Sequence, residues 1–433
     1  MVSAYPSGAS AGEFVHTLSE RPVTVWVCRF CSAPLHRTVV DLGMSPLCES
    51  FLTSDELDRM EPFYPLDVRV CDSCLLVQLV EYVSPEEIFT EYAYFSSYSD
   101  SFVEHARDYV TMIVERLGLD RSSFVVEIAS NDGYLLQHFL ELDVPVLGIE
   151  PAENVAAVAL DRNIPTRVAF FGRTTAQELA DEGRRADLLI GNNVLSQAPH
   201  LNDFVAGMKI LLAPDGVATV EFPHLMRLLE ANLFDTIYHE HFTYFSLLTA
   251  ERVFASHGLT VFDLDEVPTH GGSLRLYLRH DEDGSRPVSA EVDAFRAREE
   301  QAGLASLEPY AGFRERIEET KRALLDFLVR AKREGKSVVG YGAPGKANTL
   351  LNYCGIRTDF LDYTVDRNPY KHGLFTPGTH IPIYPPERIA ETKPDYIWIL
   401  PWNLKDEIVE QLAYARDWGA RFFVAVPQLA VLP

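Results

Sequence analysis

Three groupings of side chains in this sequence have the types and spacing to do chemistry. The first is Tyr238-His239-Glu240-His241-Phe242-Thr243-Tyr244-Phe245-Ser246. Its imidazole and phenol groups can take or give a proton, and a neighbouring carboxylate can fix an imidazole tautomer and raise its basicity. A metalloprotease helix requires His-Glu-x-x-His, and Thr243 stands where the second histidine would be, so that chemistry is excluded. A polar turn with buried aromatics is the competing reading. The second grouping is the pair Cys28-x-x-Cys31 and Cys71-x-x-Cys74, which could set four thiolates tetrahedrally about Zn²⁺. A redox Cys-x-x-Cys needs only one pair, at a helix start after a strand, so zinc is favoured. Four sulfurs leave no position open for substrate, which makes the site structural. The third is Gly340-Tyr341-Gly342-Ala343-Pro344-Gly345-Lys346, a G-x-G-x-x-G turn with Asp362 or Asp366 near the place of a ribose-binding acid. Pro344 stiffens this loop and Lys346 adds a charge suited to phosphate, so a nucleotide diphosphate fits it as well as NAD.

Strands and helices must hold these groups. The apolar run Phe124-Val125-Val126-Glu127-Ile128 predicts a strand, followed by Ala129-Ser130-Asn131-Asp132-Gly133-Tyr134, a polar turn opening a helix near 133–141. Alternation continues with a strand at 144–149, a helix near 153–162, a strand at 187–190, a helix near 201–212 and a strand at 217–221. That pattern indicates βαβ units and a parallel, doubly wound sheet, with a nucleotide-binding crevice at the strand ends. Glu127 lies in the first strand, and Glu150 ends the second, placed to accept hydrogen bonds from ribose hydroxyls. The bland reading of Asn131-Asp132-Gly133 is a turn with a helix cap. Asn192 and Asn193, at the mouth of the crevice, are read equally as cofactor contacts or as a turn. His270-Gly271-Gly272-Ser273 leads into an alternating strand, and its glycines allow close backbone approach to a ligand. Segment 101–117 reads as a helix, 285–334 as mostly helical, and a second alternation starts at Ser337. Two β-rich arms carry the cysteine pairs, with 41–46 read as the turn between them, and Cys48 and Cys354 as ordinary buried thiols.

Composition narrows the classes. At 433 residues with 47% hydrophobic and 23% charged residues the chain should fold as two or three globular domains. A net charge of −25 disfavours nucleic acid or a membrane surface as partner, so a phosphate-bearing ligand must be held locally. The sequence shows neither a membrane-spanning run nor a signal-peptide pattern, and its six cysteines are not spread as a disulfide framework; the expected location is the cytoplasm.

Taken in order, the paired Cys-x-x-Cys unit, Glu127-Ile-Ala-Ser-Asn-Asp-Gly-Tyr-Leu-Leu, Tyr238-His-Glu-His-Phe, His270-Gly-Gly-Ser-Leu-Arg and Gly340-Tyr-Gly-Ala-Pro-Gly-Lys resemble the sugar C-methyltransferases of antibiotic deoxysugar biosynthesis. The resemblance runs from about Cys28 to the C-terminus. It implies an α/β, three-domain enzyme: a zinc-binding domain over 1–84 with 1–20 as a tail, a Rossmann-like S-adenosylmethionine domain over 85–300, and a C-terminal Rossmann-like domain over 301–433 that helps hold a nucleotide sugar. The implied substrate is a dTDP-4-keto-deoxyhexose methylated at carbon, commonly C3. A carbon beside a ketone is acidic enough for a positioned base, and His241 is assigned that part. Tyr238 and Glu240 would orient the sugar, with Tyr94 contributed from outside the core. Similar enzymes often carry histidine where this chain has Gln197, and an amide can hydrogen-bond a ketone but cannot exchange a proton. An isomerase using the same enolate, a C5-methyltransferase, a non-catalytic nucleotide-sugar binding protein and, last, an NAD-dependent dehydrogenase are the alternatives.

Overall fold

Strands covered on both faces read as unbroken apolar runs, and Val125-Val126-Glu127-Ile128 is buried at every position. The computed structural model describes residues 26–80, 82–89 and 95–432, and the predicted alternation is realised there as two parallel-cored sheets behind a small antiparallel one. The N-terminal sheet holds β1 (Arg37–Ser45), β2 (Tyr64–Val70) and β3 (Val77–Leu79). The central sheet begins with β4 (Val125–Ile128), β5 (Val146–Glu150), β6 (Thr166–Val168), β7 (Ala186–Asn192) and β8 (Leu212–Pro223). Next, β9 (Thr243–Tyr244) leaves it to pair with β3, after which β10 (Leu259–Val267) and β11 (Ser273–His280) return as an antiparallel edge. The central order is β10-β11-β8-β7-β4-β5-β6. The C-terminal sheet holds β12 (Val338–Tyr341), β13 (Thr364–Val365), β14 (Ile383–Tyr384), β15 (Tyr396–Ile399), β16 (Arg421–Val424) and β17 (Ala430–Val431), in the order β14-β13-β12-β15-β16-β17.

Each parallel sheet has a strand whose successive neighbours lie on opposite sides: β4 between β5 and β7, and β12 between β13 and β15. Connections diverge at such a switch point and leave a crevice outside the carboxyl ends of the strands. The α/β class holds, with three differences in detail. Residues 41–45 are not a turn but the end of β1, which stays in register with β2 through two irregularities, with Gly43 at φ 80°. The helix expected over 133–141 shrinks to Leu136–Leu140 because the loop before it spends residues on left-handed positions. Strand β6, helix Arg173–Asp181 and strand β10 had no counterpart in the sequence reading.

The three sheets share apolar packing. One buried cluster joins Leu66 and Val77 of the N-terminal sheet, Leu228 and Phe234 of the central unit, Phe313 and Leu324 of the helix Phe313–Arg333, and Trp398 and Phe422 of the C-terminal sheet. Among the described residues no helix is long and apolar enough to cross a membrane. A polar clamp orients the chain that leads into β10. Glu299 lies 2.6 Å from His224 Nε2 and accepts the backbone N–H groups of Leu247 and Leu248 at 2.6 and 2.9 Å, satisfying the start of the helix Leu247–Ala255. Glu299→Ala strands all three donors in a fully buried place and should remove about 3 kcal/mol of stability. A urea midpoint lowered at unchanged slope would show it.

Candidate active site

The loop after β4 is built from alternating left-handed residues, Ala129 (φ 54°), Asn131 (φ 51°) and Gly133 (φ 79°). A Cβ on Gly133 would lie 2.3 Å from Ile164 Cδ1, so a side chain there would have to displace Ile164 as well as hold a left-handed backbone. The curl points the Asn131 N–H at Glu150 Oε2 (2.9 Å), while Glu150 Oε1 accepts the Ala152 N–H (2.9 Å). Burial lifts the Glu150 carboxyl to about 7 against those two hydrogen bonds. Asn131 Oδ1 accepts the Ser96 N–H at 2.9 Å, and Tyr134 stacks on Phe102 with ring centres 5.1 Å apart. Asn131, Tyr134, Glu150, Asn192 and Asn193 line a cavity of about 410 Å³. Glu127, Ser130, Asp132 and Gly133 stand behind its wall. Asp132 turns to Ser97 and Arg162, and burial with the nearby Glu150 and Asp132 carboxylates raises the Glu127 carboxyl well above its ordinary range.

The crevice fits S-adenosylmethionine. Among the described residues, Oδ1 of Asn192 and of Asn193 is buried without a hydrogen-bond partner, and unsatisfied acceptors suit a ligand that brings hydroxyl or ammonium donors and a positive charge. Asn131, Glu150, Asn192 and Asn193 would hold it, with Ala152, Phe170 and Phe171 beside a flat base.

On the far side of the cavity lie Tyr238, Glu240, His241, Gln197 and His270. His241 Nδ1 is 2.9 Å from the Thr236 carbonyl, which can only accept, so Nδ1 carries the proton and Nε2 keeps a lone pair. Burial, helped by the charge of Lys346, depresses the imidazole to about 4 and keeps it neutral. The ring of Tyr238 lies 4.1 Å from it, and Cys48 Sγ lies 3.3 Å from Glu240 Oε1. His239 faces the other way, onto the Pro65 carbonyl at 3.1 Å. Tyr94 lies outside the described residues.

The third wall comes from the C-terminal sheet. Gly342 sits at φ 89°, where a Cβ would meet Pro401 Cδ at 2.6 Å, and its loop opens the helix Gly345–Cys354. Lys346 faces the cavity, donates to Asn403 Oδ1 (2.8 Å) and lies 4.8 Å over the Trp402 ring. Asp366 takes the Ala343 N–H at 2.7 Å and lines the cavity, whereas Asp362 pairs with Lys332 at 2.7 Å away from it. Of His270-Gly271-Gly272-Ser273, only His270 reaches the cavity. Gly271 is closed off by Trp402 and Leu233, Gly272 by Arg227, and the Ser273 hydroxyl is spent on the Thr269 carbonyl. Sequence reasoning missed Glu49 and Lys371, a buried pair 3.1 Å apart that also lines the cavity. Lys371 follows Asp366 closely enough to have been found from the end of β13.

The four cysteines meet away from the cavity. Their sulfurs all lie within 4.8 Å of one another, with Cys28–Cys74 at 3.6 Å and Cys31–Cys71 at 3.5 Å. These spacings are too long for disulfides and near the about 3.8 Å edge of a tetrahedron with Zn–S bonds of about 2.3 Å. The two turns are built alike. The first cysteine's N–H goes to the fifth residue on (Cys28 to Ala33 O, 2.8 Å; Cys71 to Leu76 O, 3.0 Å), its carbonyl accepts from the fourth, and that fourth residue, Ser32 or Leu75, is left-handed. The set fits a structural Zn²⁺. Purified protein should carry about one zinc per chain, and Cys71→Ser should lose the metal and melt early; full metal content in that variant would sink the assignment.

Family comparisons agree with this layout. Models described as "Putative zinc binding domain", "Methyltransferase domain" and "C-methyltransferase C-terminal domain" match residues 28–89, 102–264 and 268–427. The chain is 36% identical over 410 residues to the C-methyltransferase NovU of Streptomyces niveus, covering 94% of this chain and 96% of that one. Among solved structures, the PH0226 protein of Pyrococcus horikoshii OT3 is 14% identical with TM-score 0.37, covering 46% of this chain and 99% of that chain. The magnesium protoporphyrin IX methyltransferase of Synechocystis PCC 6803 with bound SAH is 15% identical with TM-score 0.33, covering 41% and 84%. Matched along nearly its whole length, with the zinc-binding, methyltransferase and C-terminal units in that order, the chain belongs to the S-adenosylmethionine-dependent C-methyltransferases.

Proposed function

We propose that the protein methylates a carbon next to the ketone of a nucleotide-linked deoxysugar, a dTDP-4-keto-deoxyhexose, with C3 favoured, as a step in antibiotic deoxysugar biosynthesis. The observation that carries this reading is that one cavity is continuous from the Glu150 crevice, past the bare Nε2 of His241, to the glycine loop with Lys346. His241 removes the proton next to the ketone. Tyr238 and Glu240 orient the sugar with Tyr94, and the Gln197 amide donates to the ketone oxygen. Gly342 and Lys346, in the unit over 301–433, take the diphosphate, and the turn His270–Ser273 closes the sugar's end of the cavity. Bound S-adenosylmethionine supplies the electrophilic methyl group. Glu127, Ser130, Asp132 and Gly133 shape the cofactor loop from behind, while Asn131, Tyr134, Glu150, Asn192 and Asn193 face it.

Incubation with S-adenosylmethionine and a panel of dTDP-4-keto-sugars should yield a product heavier by one CH₂. Unchanged mass with altered stereochemistry would instead support an isomerase. His241→Asn should lower kcat by about 10²–10⁴ while leaving cofactor affinity intact by calorimetry.

The acid limb of kcat/KM is the second check. A base works in its neutral form, and burial holds His241 to about 4, so with S-adenosylmethionine saturating, which removes the Glu150 titration near 7 from the profile, the rate should stay level as pH falls through 6 and drop only toward 4. Stability runs separately. The unfolded imidazole binds a proton below about 6.5 and the folded one does not, so this group's contribution is complete above that value and lost as pH falls toward 4. A kcat/KM midpoint near 6.5 in a protein still folded at that pH would count against His241 as the base.

A further inference from the structure

His270 is the odd residue of the cavity. Among the described residues, neither nitrogen of its ring has a hydrogen-bond partner, although the ring faces the same space as His241, Gln197 and Lys346. Its backbone is left-handed, at φ 55° and ψ 20°, and Gly271 and Gly272 follow at φ 89° and 122°. Three successive residues at positive φ form a strained turn, and a histidine in it persists only where its surroundings impose it.

One buried carboxylate imposes it. Glu221, near the carboxyl end of β8 and 1% exposed, accepts from Thr269 Oγ1 at 2.8 Å on one oxygen and from Arg275 Nη2 at 2.7 Å on the other. Both flanks of the turn are therefore tied to a single group. His105 Nε2 lies 3.3 Å from the second oxygen, and the turn closes on itself through the Gly272 N–H to the Thr269 carbonyl at 2.9 Å. The His270 ring is set edge-on to Phe102 (6.1 Å), which stacks in turn on Tyr134 of the cofactor loop. The imidazole is thus held where the cofactor crevice meets the sugar's end of the cavity.

We infer that His270 is a catalytic residue, a neutral imidazole whose N–H donates to the ketone oxygen as the neighbouring carbon loses its proton, and that Glu221 is its positioning residue. This rests on the keto-sugar reading above. In the step, the C–H bond breaks and its proton goes to His241 Nε2. The C–H electron pair becomes the C=C bond, and the carbonyl π pair moves to the oxygen facing His270, beside the Gln197 amide. Burial together with the charge of Lys346 pushes His270 down to about 3, so it stays a neutral donor at working pH. A preorganised donor aimed at developing negative charge needs no proton exchange, and this explains how the chain can dispense with a histidine at position 197.

The test is deuterium exchange at the carbon next to the ketone of a dTDP-4-keto-6-deoxyhexose in D₂O without methyl donor, run beside methyl transfer. Wild type, His270→Asn, His270→Gln, Glu221→Gln and the double variant His270→Asn/Glu221→Gln are compared, with zinc content and S-adenosylhomocysteine affinity as the check on folding. His270→Asn, whose shorter amide falls short of the imidazole Nε2 position, should slow exchange and kcat together by about 10²–10³, with KM for the sugar nearly unchanged, and His270→Gln, whose amide N–H reaches about that position, should recover part of the loss. Glu221→Gln should lower kcat at unchanged KM and add nothing further to His270→Asn, whereas a merely structural role would make the two losses multiply. Wild-type exchange in folded His270→Asn, or a defect confined to cofactor affinity, overturns the inference. If wild type neither exchanges nor methylates any keto-sugar, the substrate reading itself fails, and this proposal falls with it.

Discussion

Burial keeps the His241 ring neutral, and that burial is shared among three units whose sheets pack on one apolar cluster. His241 is carried by the segment between helix Leu225–Glu230 and β9, but much of what shields it comes from elsewhere. The helix Gly345–Cys354 reaches both neighbours. Its Asn348 side chain donates to the Cys48 carbonyl at 2.6 Å, and Thr349 donates to the Ile237 carbonyl at 2.9 Å. Lys371 completes the seam, bonded to Glu49 and to the Ala343 carbonyl (2.9 Å) and lying 4.4 Å over the Phe51 ring. A buried ammonium is costly unless each direction around it is satisfied, and this one finds partners from two sheets at once. Were the seam to open, His241 would regain water and its ordinary basicity, and the neighbouring Tyr238, whose phenol burial pushes well above its ordinary range, would do the same.

The zinc knot acts on the same ring through backbone. Gln78 of β3 donates to Cys28 Sγ at 3.2 Å and accepts the Arg29 N–H at 2.9 Å. The same residue stands opposite Thr243 in the β3–β9 pair, and the Leu79 N–H donates to the Phe242 carbonyl at 2.9 Å. Phe242 in turn donates to the Ser196 carbonyl at 2.7 Å, next to Gln197. The cysteine knot therefore fixes the strand that follows His241 and the turn that carries the Gln197 amide. This is a physical reason for a structural site to accompany a catalytic one: fixing a segment beforehand removes its conformational freedom from the barrier.

What could be read from the sequence followed the range of the interactions. The cysteine turns and the strands around the cofactor loop are set by residues within a few positions of one another, and periodicity and spacing found them. Cys48, read as an ordinary buried thiol, is buried, but its Sγ meets Glu240 across 192 positions of sequence, and no local pattern announces that. Glu221 was visible only as the end of a strand; its clamp on Thr269 and Arg275 exists because β11 pairs antiparallel with β8. Residues 41–46 failed for the opposite reason: Asp41 and Gly43 have turn chemistry, the Gly43 N–H does bond to Asp41 Oδ1 at 2.8 Å, and the strand absorbs it as an irregularity in its pairing. Glu127 looked equivalent to Glu150, yet a strand interior and a strand end differ in what they can reach.

The two switch points use one device. In each, the acid at or just after the end of the second strand accepts a backbone N–H from the loop after the first: Glu150 from Asn131, and Asp366 from Ala343. Around the first loop the lining is acceptor-rich and aromatic, while the lysines and arginine that line the cavity, Lys346, Arg367 and Lys371, all come from the C-terminal unit. Glu49, Asp366 and Glu407 line the cavity beside those cations, and Lys371 and Arg367 are paired with Glu49 and Glu407. Lys346, bonded to the neutral Asn403 amide, is therefore the cation of that wall whose charge is least offset, and it is the one that helps hold both His241 and His270 below the ordinary imidazole range.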